Sequence, residues 1–183
     1  LGHALQFQYH PSSIDLFNNG HTVQANLEEE NTLLADGKTY SLKQIHFHEP
    51  SEHHIDGIIF PMEMHMVHAD SAGKLLVVGV FIKEGPANPY LQTFWDELPA
   101  QPETHQHPDS KCKVEYLLPE HKAVYHYTGS LTTPPCTEGV EWFVMEEPIA
   151  LSKKQIAHFR DLYHGNNRPV QQQTRRQVEL LSD

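Results

Sequence analysis

His46 and His48 stand two residues apart in the stretch LKQIHFHEPSEHHIDGIIFPMEMHMVH, residues 42–68. A strand sends residues i and i+2 to one face, so an extended backbone carries both imidazoles the same way. Asp56-Gly57 is a turn signal, and beyond it His65 alternates with Met62, Met64 and Met66. Pairing the two runs as antiparallel neighbours brings His65 beside the first two histidines. Three neutral imidazoles on rigid strands make a base for Zn²⁺. With no fourth protein ligand, the remaining position is left to water, the arrangement of a catalytic rather than a structural zinc. His46, His48 and His65 are therefore the expected metal ligands, for one zinc per chain.

A ligating histidine needs its second nitrogen held, which fixes tautomer and orientation. The same alternation supplies Gln44 two residues before His46 and Glu63 two before His65, each on its ligand's face. Met62, Met64 and Met66 mark the opposite face as core, and His68 shares it, as a structural histidine. His53 and His54 fall at the turn, where at most one of them points inward. The remaining histidines, among the fifteen in the chain, are scattered among polar and loop residues.

The elements that must position these groups are short strands. Residues 4–10 alternate apolar and polar. Two more strands flank the Asn18-Asn19-Gly20 turn, and Asp36-Gly37 introduces a strand over 40–48. KLLVVGVFIK, after the 70–73 turn, is the continuous apolar run of a strand buried on both faces. Residues 88–98 read as a helix with Asn88 as cap and Pro89 in its first position, and 99–111 as a surface loop. Strands resume at 114–118, 123–128 and 140–146. Ser152 with Gln155 forms a capping box for a helix that Gly165 ends. The result is a mainly β fold: a large, mostly antiparallel twisted sheet with a few short peripheral helices.

At 183 residues the chain suits a single domain, 1–183, with no internal repeat. A net charge of −11 argues against nucleic acid and anionic membrane surfaces as partners. No stretch approaches the roughly 18 apolar residues of a membrane span. The two cysteines, Cys112 and Cys136, allow one disulfide and require none.

QIHFHEPSEH, MEMHMVH and GSLTTPPCTEGVEWFV together resemble the α-class carbonic anhydrases, the bacterial branch in particular; NNGH near the start and NNRPVQ near the end fall in the matching order. The resemblance implies reversible hydration of CO2 to bicarbonate and a proton, on a sheet of about ten strands. It makes the three histidines above zinc ligands and supplies hydroxide near neutral pH. Thr132 would accept that hydroxide's hydrogen bond and pass its own to Glu52, and Thr133 would help to hold bicarbonate. Val67, Val77, Leu131, Val140 and Trp142 would form an apolar wall for CO2. His21, of NNGH, would export the proton, a task that suits an imidazole pKa of about 6.5, with Asn19 and Gln24 ordering the waters between. Sulfonamide or inorganic-anion inhibitors, a periplasmic or extracellular location and compatibility with a homodimer follow from the same resemblance.

Family members carry an N-terminal stretch, with a QSPI-like motif, ahead of the strand matching ALQFQYH. This sequence opens without Met and reads as a processed or truncated product. Bacterial members often pair a cysteine of that stretch with the one after TTPP, so Cys136 is free, paired with Cys112, or tied to a segment outside this sequence. Three other functions compete: a zinc-dependent esterase, a catalytically silent carbonic-anhydrase-like binding module, and a His-rich zinc buffer. The silent module is expected to have lost a ligand, and the buffer to hold several weak ions instead of one tight one.

Overall fold

The computed structural model describes residues 5–163, 165–173 and 176–182. A twelve-stranded sheet forms its frame. Across its width run His105–Gln106, Ile14–Asn18, Val23–Leu27, Lys38–His48, Met62–Ala69, Leu75–Glu84, Glu138–Met145, Val124–Ser130 and Glu179–Leu181. Gln6–Gln8 pairs with Thr32–Ala35, Thr32–Ala35 with the start of Lys38–His48, and Ile149–Leu151 with the end of Leu75–Glu84. Asp36 and Gly37 turn the chain with φ of 49° and 73°, the left-handed pair that a two-residue hairpin requires.

The sheet is mostly antiparallel, as the hairpin signals imply. Leu75–Glu84 alone runs parallel to neighbours, Glu138–Met145 and Ile149–Leu151. Its sequence explains this. Residues 76–82 are all buried, and a strand covered on both faces is the kind that accepts a parallel partner.

One face of the sheet carries the main core. Ile45, Phe47, Met62, Met64 and Met66 point into it, along with Phe94, Trp95 and Phe159. The Phe47 ring sits edge-on to Trp95 and Phe94, at centroid distances of 5.1 Å and 5.9 Å. His68 belongs to this side: it is fully buried, its Nδ1 bonded to the Leu76 carbonyl at 3.2 Å and its Nε2 to the Tyr9 hydroxyl at 2.5 Å. The Met stripe is core, as its alternation predicts.

The Lys38–His48 strand holds a feature that alternation alone does not reveal. Tyr40 and Leu42 are core residues, and so are Ile45 and Phe47. Even and odd positions cannot share a face on a regular strand. The register slips between Leu42 and Gln44, leaving exposed Lys43 as the extra residue of a β-bulge. That insertion turns Gln44, His46 and His48 to the open face while both apolar pairs stay inside.

Other expectations shift locally. The helix expected over 88–98 is only Gln92–Trp95, with Leu91 at its N-cap and no side-chain cap bond; Asn88 instead caps the turn ahead of it, its Oδ1 accepting from the N–H groups of Tyr90 and Leu91 at 3.0 and 3.1 Å. Residues 114–118 are not a strand: Cys112–Lys113 is, followed by a 3₁₀ turn at Val114–Tyr116. The 99–111 loop contains the short strand His105–Gln106. The capping box is formed reciprocally, Gln155 N–H to Ser152 Oγ at 3.1 Å and Ser152 N–H to Gln155 Oε1 at 3.0 Å. It opens Lys153–Tyr163, and Gly165 follows with φ of 68°. Cys112 and Cys136 are both free thiols, so they do not pair with each other. No helix among the described residues is long and apolar enough to cross a membrane.

Deleting Lys43 should reverse the facing of every residue on one side of the bulge, sending either the imidazoles or an apolar pair the wrong way. The deletion variant is expected to lose cooperative urea unfolding. Lys43→Ala, which keeps the count, should change stability by no more than about 0.5 kcal/mol.

Candidate metal centre

The open face holds the three histidines together. His46 lies directly opposite His65 in the antiparallel ladder, and His48 opposite Glu63. Ring centroids are separated by 5.0 Å for His46–His48, 5.3 Å for His46–His65 and 4.6 Å for His48–His65. One nitrogen from each ring falls in a set whose members all lie within 4.8 Å of one another.

Each ring has its other nitrogen engaged. Gln44 Oε1 accepts from His46 Nδ1 at 2.8 Å, the Asn166 carbonyl from His48 Nδ1 at 3.1 Å, and Glu63 Oε2 from His65 Nε2. Those bonds leave His46 Nε2, His48 Nε2 and His65 Nδ1 to face a common space. His48 Nε2 is buried with no hydrogen-bond partner, a costly position for a polar atom and one that a metal ion relieves. Burial, with the two neighbouring imidazoles, holds His46 well below the usual histidine range. Burial first, then His65, brings His48 to about 3. Both are neutral, the form that binds a metal. The donor set fits zinc.

Glu63 is the hub behind the trio and is fully buried. Its Oε1 accepts the backbone N–H groups of Glu52 at 3.1 Å and His53 at 2.9 Å; its Oε2 takes the rings of His65 and His53, the latter at 2.7 Å. Burial pushes its pKa up, but His53 and His65 outweigh that and hold it well below the carboxylate range. Burial lowers His53 and Glu63 raises it, with a net upward shift. His53, Glu63 and His65 also form a mutual donor set, here closed by hydrogen bonds to one another and from His53 Nε2 to the Tyr127 hydroxyl. Of the His53-His54 pair, His53 is therefore the one that turns inward. Glu63 needs room. A Cβ on Gly79 would come within 3.3 Å of Glu63 Oε2 and 3.8 Å of His65 Cδ2.

Glu52 stands beside the trio without joining its donor set. Its Oε1 is 3.2 Å from His48 Nε2 and 3.8 Å from His65 Nδ1, and its Oε2 accepts the Arg168 N–H at 2.6 Å. Burial raises its pKa, while His65, the Thr132 hydroxyl and the Arg168 N–H lower it. Thr132 sits in the 131–137 turn, closed by Leu131 N–H to Thr137 O and Cys136 N–H to Thr133 O, both at 2.9 Å. Thr133 is exposed in the same turn.

The residues expected to form an apolar wall do form one cluster. Val67, Val77, Val140 and Trp142 are buried together with Phe81 and Val144, and Leu131 packs against them. Trp142 lies 4.9 Å from the His65 ring, its Nε1 donating to the Ser130 carbonyl at 2.9 Å. The other half of the open face is polar. Gln24 lies opposite His46 and donates to Asn26 at 2.8 Å. His21 is exposed. Its loop is held by Asn19, whose Oδ1 accepts the N–H groups of His21 and Thr22 at 2.9 and 3.0 Å. A separate cavity of about 400 Å³ borders Glu52, His53, Tyr127 and Thr132 but not the three histidines.

Sequence reasoning missed His53, Tyr127, Gly79, Asn166 and Arg168. Asn166 bridges most widely: Nδ2 reaches the carbonyls of His21 and Phe47 at 3.1 and 3.0 Å, and Oδ1 accepts the Glu49 N–H at 2.7 Å. The run NNRPVQ was its only signal.

A family model described as eukaryotic-type carbonic anhydrase matches residues 2–182. The chain belongs to the carbonic anhydrase family. It is 42% identical over 168 residues to a carbonic anhydrase of Pectobacterium carotovorum, covering 91% of this chain and 69% of that one. It superimposes with a TM-score of 0.93 on the α-carbonic anhydrase of Thermovibrio ammonificans in complex with sulfanilamide, at 42% identity, covering 95% of this chain and 77% of that one. Dioscorin complexed with ascorbate is also similar, with a TM-score of 0.90 at 30% identity, covering 98% of this chain and 78% of that one.

Glu63→Gln keeps the shape and removes the charge that orients His65; zinc affinity should fall by about 10- to 100-fold in chelator competition. The low folded-state values of His46 and His48 set a pH dependence. Unfolded imidazoles take up protons below about pH 6.5, and the buried rings do not, down to about 3 for His48. Metal-free protein should therefore lose stability progressively through that window as pH falls. Urea midpoints at about pH 7.5 and pH 5.5 should differ in that direction, with a smaller difference in a His46→Gln, His48→Gln protein.

Proposed function

We propose that this chain is a zinc carbonic anhydrase that interconverts CO2 and water with bicarbonate and a proton. The observation that carries the proposal is the convergence of one nitrogen from each of His46, His48 and His65, all within 4.8 Å of one another, at the seam between a polar and an apolar half of one sheet face. The fold by itself does not decide activity. The intact donor set is what favours the enzyme.

His46, His48 and His65 would hold the ion. When bound, zinc supplies a Lewis acid that lowers the pKa of water to about 7, a figure known from carbonic anhydrases themselves. Thr132 donates its hydroxyl hydrogen bond to Glu52, so its oxygen would be left to accept from a reacting hydroxyl and would turn that group's lone pair toward CO2. Glu52 keeps its direction through the Arg168 N–H. Val67, Val77, Leu131, Val140 and Trp142 offer CO2 a surface that water does not contest, and Thr133 lies where bicarbonate would be held. On the polar half, Gln24 and Asn19 border the route by which His21 carries the proton to solvent. The relative solved with sulfanilamide supports sulfonamide inhibition here. A periplasmic or extracellular location is part of the same reading, taken from the bacterial branch that the motifs resemble; fractionation of the native host would test it.

A CO2-hydration assay with chelator and then zinc added back tests the proposal. His65→Ala should lose zinc and activity together. Thr132→Ala should keep zinc and lose about 100-fold in kcat/KM. His21→Ala should slow turnover in weak buffer by about tenfold and recover with added imidazole. A folded, zinc-loaded chain with no sulfonamide-sensitive hydration would favour a silent binding module instead.

A further inference from the structure

The sheet face that carries the histidine trio continues past it to a second group of metal-ligating side chains. In register across the ladder, His46 lies opposite Gln24, Gln24 opposite Phe17, and Phe17 opposite His105. Cross-strand partners share a face, so His105 stands on the open side three strands from His46, about 14 Å at the usual strand spacing. Asp15 is two residues from Phe17 on the same face.

Asp15 sits between two imidazoles. Its Oδ1 is 2.8 Å from His105 Nδ1 and 3.6 Å from His107 Nε2, while Asn26 Nδ2 donates to its Oδ2 at 3.3 Å. Oδ2 lies 3.1 Å from His105 Nδ1 as well, so both carboxylate oxygens face His105 while Oδ1 also approaches His107. Phe17 stacks on His105 at 4.4 Å and fixes its plane. The two imidazoles are nearly parallel, 9° apart, with centroids 6.5 Å from each other. Glu28 Oε1 lies 3.8 Å from the remaining His107 nitrogen, Nδ1, an ion-pair distance beyond hydrogen-bond reach. The imidazole nitrogens are farther apart than in the trio, and closing on one ion would take a rotation of the His107 side chain, which is 65% exposed. Among the described residues the ion pairs of Asp15 and Glu28 are with these imidazoles alone, whereas neighbouring Glu29 has Lys111 at 2.9 Å. A divalent cation would supply the positive charge that this corner lacks.

We propose that His105, His107 and Asp15, with Glu28 beside His107, form a second, peripheral transition-metal site. Two imidazoles and a carboxylate with open positions suit Cu²⁺ and Zn²⁺, and Cu²⁺ binds such donors most tightly. The site is independent of the catalytic proposal, because none of its residues touches the trio.

The test adds one equivalent of Cu²⁺ to the zinc-loaded full chain, followed by gel filtration, metal analysis and EPR. The expected result is one zinc and one copper per chain, with nitrogen splitting in the copper signal. His105→Ala with His107→Ala should weaken copper binding by at least about tenfold and leave the zinc in place, which also reports that the variant is folded. Asp15→Asn, which keeps both imidazoles, should weaken it too. Copper held as tightly by the double variant as by the parent, copper gained only as zinc is lost, or no copper retained by the parent would each overturn the proposal.

Discussion

A strand has two faces and one period, and this protein asks Lys38–His48 to build a core with one face and a metal centre with the other. The imidazoles at 46 and 48 are compatible with Ile45 and Phe47 because the two pairs have opposite parity. They are compatible with Tyr40 and Leu42 only because Lys43 interrupts the count. Everything downstream inherits that facing. Met62, Met64 and Met66 meet the core, so Glu63, His65 and Val67 meet the site. Leu76, Val78, Val80 and Ile82 meet the core, so Val77 and Phe81 line the wall and Gly79 leaves space for the carboxylate between them.

Within that frame Glu63 does the work of several residues. An isolated buried carboxylate costs several kcal/mol, and here its oxygens are saturated at once by two imidazoles and two backbone N–H groups. The satisfied carboxylate fixes the tautomer of His65, draws His53 inward and through His53 anchors Tyr127. Orientation of one ligand and closure of the 49–54 loop are thus the same interaction. His46 and His48 are held by uncharged partners, an amide and a carbonyl, which fix direction without adding charge. The centre has one anionic tether, so the ion would keep most of the positive charge it needs to act on water.

Much of this was legible in the chain because it is local. Two-residue alternation reaches His46, His48, His65, Gln44 and Glu63, and the buried run at 75–82 declares itself by composition. The bulge was not legible: Lys43 is an ordinary exposed lysine, and its effect appears only when the core on either side is compared. Nor were Asn166 and Arg168, which reach the site from more than a hundred residues away through a backbone carbonyl and a backbone N–H, groups that every sequence position possesses. Helix length failed for a related reason. Asn88 caps its turn as the pattern says, yet Gln155 already binds the Asn88 backbone and the Gln92 side chain, so tertiary contacts rather than propensity set where the turn ends.

The open face divides along the metal centre. Toward Leu75–Glu84 and Glu138–Met145 it is valine, phenylalanine and tryptophan; toward Val23–Leu27 and Ile14–Asn18 it is glutamine, asparagine, aspartate and histidine, with Phe17 the apolar exception under His105. An apolar molecule and a proton have opposite needs, one a surface that water leaves readily, the other a chain of groups that hold water in place. A single sheet meets both because its strands alternate in the same phase but differ in what they place on the open side. The boundary falls at Lys38–His48 and Met62–Ala69, the two strands that carry the imidazoles. An ion there would touch both media, and shifting either strand by one residue would turn its imidazoles to the core face.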